Sequence, residues 1–151
     1  MCIKIISNEG KPLSEEDILK AEQEMQTMIP KEYREFLKKH NGGQPSPCDF
    51  NRPLDKNNLG KVQDSISKFY GLEGTYNLVW NYKEYKDRVP SEMFPIAEVG
   101  GCNICLCREG NNQGKVYFWD SEEENPEIPQ PYYDNLYFIA NSFEEFLKSL
   151  K

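Results

Sequence analysis

Apolar residues recur at helical spacing at Ile18, Ala21, Met25 and Ile29, and again at Tyr33, Phe36 and Leu37, so the pattern opens with two short helices. Leu13-Ser14-Glu15-Glu16-Asp17-Ile18 reads as the start of the first: Ser14 caps, Asp17 returns the bond, and Leu13 packs on Ile18. Glu22 and Glu24 fall on the solvated face. Pro30 breaks the first helix and suits the first turn of the second. Lys38, Lys39 and His40 complement the negative end of its dipole, and Asn41-Gly42-Gly43 supplies a left-handed stop. The pair forms an angled hairpin.

From Gln44 to Lys61 the prolines Pro45, Pro47 and Pro53, with many Asn and Asp, read as loop with a short strand around Cys48 to Phe50. Val62 to Leu72 carries both periodicities; a strand through Ser67 to Leu72 is favoured over a helical face. Asn77 to Arg88 is a helix ended by Pro90, and Met93 to Val99 a strand that Pro95 assigns to the start or edge of a sheet. Asn103 to Cys107 and Lys115 to Trp119 form a hairpin across a Gly- and Asn-rich loop. Both faces of both strands are apolar, as in central strands. Leu136 to Ala140 adds a strand. Ser142-Phe143-Glu144-Glu145 is a capping box opening a final helix with Phe143, Phe146, Leu147 and Leu150 facing inward.

Composition narrows the class. At 151 residues, 38% hydrophobic and 13% aromatic, the chain suits one ordinary domain, residues 1–151, with a core that needs no disulfide or metal. No apolar run approaches the roughly 20 residues of a membrane span. Met1 to Lys11 has no signal-peptide pattern, so a cytoplasmic protein is expected.

Charge excludes more. The balance is 18 bases against 25 acids, a net −7, which disfavours direct binding of nucleic acid and favours a basic partner. The excess is localised. From Val116 to Leu147 there is no Lys or Arg, while Asp120, Glu122, Glu123, Glu124, Glu127, Asp134, Glu144 and Glu145 contribute eight negative charges.

Candidate chemistry is sparse. Five cysteines (Cys2, Cys48, Cys102, Cys105 and Cys107) are an odd count that argues for reduced thiols. Cys102-Asn-Ile-Cys105 could be a zinc half-site or redox pair, but it runs into a strand and lacks partner ligands, so buried thiols are the preferred reading. His40, the single histidine, reads as dipole-complementing surface, and no nucleotide-binding or nucleophile-elbow motif occurs. Glu122 to Glu124 lack the spacing of a calcium loop and read as a solvated face. No cofactor is expected. The segment Pro131-Tyr132-Tyr133-Asp134-Asn135-Leu136-Tyr137 has the composition of a recognition surface, packing onto the core being the equal alternative.

Four stretches in order carry a resemblance: Ile29-Pro30-Lys31-Glu32-Tyr33-Arg34-Glu35-Phe36-Leu37 leading into Asn41-Gly42-Gly43; Phe94-Pro95-Ile96-Ala97 followed by Gly100-Gly101-Cys102-Asn103-Ile104-Cys105-Leu106; Gly114-Lys115-Val116-Tyr117-Phe118-Trp119-Asp120; and Ser142-Phe143-Glu144-Glu145-Phe146-Leu147. Together they resemble the SUKH superfamily, the Smi and Knr type. Ser121 stands where a His is frequent in that pattern, and Glu98-Val99 where an Asp-containing turn is usual.

The resemblance implies an α+β fold, a small antiparallel sheet packed against the N-terminal helix pair and the C-terminal helix. It also implies a non-enzymatic role, since many bacterial members are immunity proteins that neutralise toxins, often nucleases, while others are regulatory scaffolds. The expected function is thus an antitoxin that occludes a basic nuclease domain, an RNase or DNase. Asp120, Glu122, Glu123, Glu124, Glu127 and Asp134 would supply the field and Tyr132 and Tyr133 the anchors. A regulatory scaffold and, further off, a metal-dependent enzyme using the cysteines or the acidic run are the competing expectations.

Overall fold

Three of the four α-helices among the described residues begin where a side chain satisfies a free N–H group of the first turn. The computed structural model describes residues 3–57 and 60–151, so Cys2 lies outside the described residues. Helix α1, Glu15–Met25, opens on the full capping box: Ser14 accepts from the Asp17 N–H at 3.2 Å and Asp17 accepts from the Ser14 N–H at 2.8 Å. Helix α2, Lys31–Lys39, follows Pro30, and α3, Leu78–Tyr85, is capped by Asn77. In α4, Phe143–Ser149, Ser142 accepts from Glu145 N–H at 3.0 Å. The Glu145 carboxylate reaches one residue further back, to the Asn141 N–H, so the reciprocal half of the expected box is displaced.

Strands β1, Lys4–Ser7, and β2, Gln44–Ser46, form one antiparallel pair; β3, Asp49–Pro53, and β4, Lys61–Ser65, form another. The main sheet contains β5, Lys68–Phe69; β6, Met93–Val99; β7, Cys102–Cys107; β8, Val116–Trp119; and β9, Leu136–Ala140, antiparallel in chain order. The β7–β8 hairpin is central, with Asn103 opposite Trp119 and Leu106 opposite Val116. Every residue of β7 is buried, as two apolar faces require.

Four expectations are corrected. The Gln44 to Lys61 region holds more strand than expected: the short strand around Cys48 to Phe50 is β3, which runs to Pro53 and pairs with β4, and β2 precedes it. Strand β6 is second in the sheet and not at its edge. Pro95 is accommodated there because the β6–β7 register shifts between Pro95 and Ala97, while two-residue β5 pairs only with Ala97 and Glu98. The Ser67 to Leu72 strand shortens to Lys68–Phe69, with Ser67 and Tyr70 each giving one further bond to β6. Glu22 is buried: its carboxylate accepts from Ile29 N–H at 2.8 Å and from Arg34 at 3.0 Å, stapling α1 to α2.

The core has two parts on opposite sides of the main sheet. The larger joins Ile18, Met25, Tyr33, Phe36, Phe69, Phe143 and Phe146 to Phe94, Ile104, Leu106 and Phe118. The smaller is Val89, Met93, Cys105, Cys107, Trp119 and Leu136, with Tyr85 and Tyr117 against it. Chain crossing above the larger core is tight. A Cβ on Gly42, whose φ is +72°, would stand 2.5 Å from the Gly71 nitrogen. Gly42 therefore serves backbone contact as well as the turn after α2. No helix among the described residues is long and apolar enough to cross a membrane.

Candidate functional site

Strand β8 ends at Trp119 and β9 begins at Leu136, so the intervening acidic segment is held at one end of the sheet by its two anchors. Asp120 and Asn135 close it: the Asp120 N–H donates to the Asn135 carbonyl at 2.9 Å, and Asn135 Nδ2 donates to the Asp120 carbonyl at 3.0 Å. The Asp120 carboxylate also accepts from Glu122 N–H at 2.9 Å and caps the 3-10 turn Ser121–Glu123. Asp120 is thus committed to backbone structure.

The remaining acids divide by partner. Glu124 is held by Arg88 in a two-pronged pair, Nε and Nη2 each 2.9 Å from a carboxylate oxygen. Glu123 accepts from the Tyr137 hydroxyl at 2.5 Å; burial first, and this carboxylate second, push that phenol up from its ordinary range. Glu122, Glu127 and Asp134 are exposed and form no salt bridge among the described residues. Lys56 lies in the same neighbourhood, its ammonium bonded to the carbonyls of Tyr133 and Leu136 and 4.7 Å above the Tyr137 ring. Desolvation lowers the Lys56 pKa, against the fields of Asp134 and Glu123.

The two tyrosines behave differently. Tyr132 is half-buried, its N–H donating to Gln130 Oε1 at 2.9 Å. Tyr133 is 44% exposed and donates its hydroxyl to Glu92 Oε2 at 2.8 Å. Sequence spacing gave no sign of Glu92, which lies 41 positions away. With Ser91, Glu109, Gly110, Gln130 and Pro131, these two residues line a groove of about 490 Å³. Arg88 was likewise invisible as a partner of Glu124, since 36 positions separate them.

The cysteines and histidine take places in the frame. Cys102 joins the larger core, whereas Cys105 and Cys107 join the smaller, so the two ends of the C-x-x-C face opposite sides of β7. Burial pushes all three thiols up. His40 follows α2 in an extended conformation, with Nδ1 3.0 Å from Glu9 Oε2.

The model of the SMI1 / KNR4 family (SUKH-1) matches residues 12–149. The chain belongs to this family. It is also 32% identical over 148 residues to a Bacillus subtilis (strain 168) protein named "SPbeta prophage-derived uncharacterized protein YokK", covering 89% of this chain and 73% of that one. SUKH proteins are known for immunity roles in which they bind a toxin.

The segments that carry the SUKH likeness are mainly structural here. Tyr33, Phe36, Phe94, Ile96, Ile104, Phe118, Phe143 and Phe146 are all buried. Ser121 places its hydroxyl 3.6 Å from the Cys102 thiol. The family match extends through the acidic segment between Glu122 and Asp134 as well.

Proposed function

We propose that this protein is a cytoplasmic immunity protein that neutralises a basic toxin domain of nuclease type by binding it, with no reaction of its own. The observation that carries the reading is the β8–β9 connection, which presents the carboxylates of Glu122, Glu127 and Asp134 to solvent without a salt bridge among the described residues, beside a half-exposed tyrosine. A nuclease must be cationic where it holds a phosphate backbone. Acids fixed on a rigid anchor steer such a surface into contact and then deny it to substrate.

SUKH membership supports the class of role, and the charge distribution supports the sign of the partner. The test is co-expression with a neighbouring gene whose product has a basic domain and is toxic when expressed alone. Cells carrying the toxin alone should die, and cells carrying both should grow, with a stoichiometric complex on gel filtration. A neighbouring basic domain that forms no complex and kills regardless would overturn the reading.

A further inference from the structure

We propose that the cationic partner seats on the open face of the main sheet, with an arginine or lysine entering the groove between Glu92 and Glu109. This rests on the reading of a basic partner above and locates its contact away from the run of acids most evident in the sequence.

Leu78 and Tyr82 of α3 pack into the larger core, so on the other side of the sheet only Tyr85, at the helix end, and Val89, in the turn after it, provide cover. Tyr85 and Val89 close over Trp119 and Cys105, but the same face continues to Tyr117 and Phe138, directly opposed on β8 and β9. Their rings meet edge to face at 5.9 Å, and Phe138 remains 44% exposed. Tyr133 lines the groove. The Glu92 carboxylate links the tyrosines, accepting the Tyr133 hydroxyl and lying near enough to Tyr117 for its charge to act on that phenol. An aromatic strip thus runs beside the groove.

Charge complementarity selects the occupant. Glu92 and Glu109 both line the groove, and neither forms a salt bridge among the described residues. Arg108 is engaged elsewhere, while Lys115 lies on the strip itself, its ammonium 5.8 Å from the Phe138 ring centre. Arg108 spends its guanidinium on the Ser91 carbonyl, Thr27 and Tyr82, and Lys115 donates to Asn112 Oδ1 at 3.1 Å. A guanidinium entering from the partner would meet two carboxylates and could lie on the Tyr133 ring, gaining both an ion pair and a cation–π contact. The exposed acids Glu122, Glu127 and Asp134 then act at longer range, guiding approach.

The test uses the full-length ¹⁵N-labelled chain titrated with octa-arginine at low salt. Saturable shifts centred on Glu92, Glu109, Tyr117, Tyr133 and Phe138 are expected. The Glu92→Gln/Glu109→Gln variant should weaken binding by about tenfold, as removal of two exposed charge pairs would. Tyr133→Ala should weaken it too, without altering amide shifts in the larger core. Shifts centred on residues 120–127 and unchanged in the double variant would overturn the groove and leave the proposed function standing. Absence of saturable binding would also overturn the groove. Failure of the proposed function is read separately, by loss of protection in co-expression.

Discussion

Arg88 holds Glu124 through two parallel hydrogen bonds of 2.9 Å while its guanidinium lies 4.7 Å from the Tyr85 ring centre, and so one ion pair fastens the acidic segment to the turn that follows α3. A carboxylate that belongs by sequence to an exposed acidic run is thereby an internal strut. Reversing Glu122, Glu123 and Glu124 together would damage the frame as well as the charge.

The first prediction separates those roles. Glu124→Ala should lower unfolding free energy by about 1 kcal/mol, the figure for a two-pronged pair discounted for solvent screening, because Arg88 is about a third exposed. Glu122→Ala and Glu127→Ala should stay within about 0.5 kcal/mol of the parent. Urea denaturation of the three variants checks the order; equal losses would refute it.

Glycine placement gives a second. A Cβ on Gly71 would sit 2.4 Å from the Asn41 carbonyl oxygen, whereas one on Gly74 meets nothing within 4 Å at a φ of +84°. Gly74→Ala should cost about 1 kcal/mol of backbone strain. Gly71→Ala must displace backbone and should cost more, about 2 kcal/mol or beyond. Thermal melts of both variants suffice.

These contrasts bear on what was legible beforehand. Ser14, Asp17 and Ile18 announce α1 because capping is local, and the β7–β8 hairpin announces the sheet centre because both faces of both strands are apolar. Strand β1 is four residues with no fully buried position, and β2 contains Pro45; their pairing is settled by contacts some 40 positions apart, as in Lys4 opposite Ser46, so no local pattern marks them. Pro95 points to an edge when read alone, and only the register shift beside it explains its interior place. The candidate site divides likewise. Exposure of Glu122, Glu127 and Asp134 was readable from the uninterrupted acidic stretch, but neither the capture of Glu124 by Arg88 nor the approach of Glu92 to Tyr133 leaves a trace in spacing.

Stability should fall at both extremes of pH. Hydrogen bonds from Arg34 and Lys38 hold the Glu15 carboxyl below its ordinary 4.5, and bonds from the Ser14 backbone and hydroxyl hold Asp17 below 3.8. Depressed carboxyls contribute stability that is present above their unfolded pKa and lost as pH falls through the folded one, so the acid loss should begin near pH 4.5 and continue below 3.8. Burial raises the Tyr33 and Tyr70 phenols above 10.0. Their contribution is complete below 10.0 and declines as pH rises beyond it. Urea midpoints across the pH range should show a plateau between these limits; a midpoint that still rises above pH 10.5 would contradict the alkaline limb.

The thiols offer a further check. Burial in an apolar site pushes the fully enclosed Cys105 thiol far up, while Cys48 is half-exposed. A thiol reagent should therefore label Cys48 in the native protein and Cys105 only on unfolding. Cys105→Ser, which places a hydroxyl in that apolar site, should cost about 1–3 kcal/mol.

The central claim is attraction between an acidic face and a cationic protein, and its most direct measurement is the salt dependence of complex formation with the basic toxin domain that this protein protects against in co-expression. Stopped-flow association should slow by about tenfold or more between 50 and 500 mM salt, with dissociation changing by less than about twofold. Association that is indifferent to salt, with dissociation carrying any change in affinity, would contradict it.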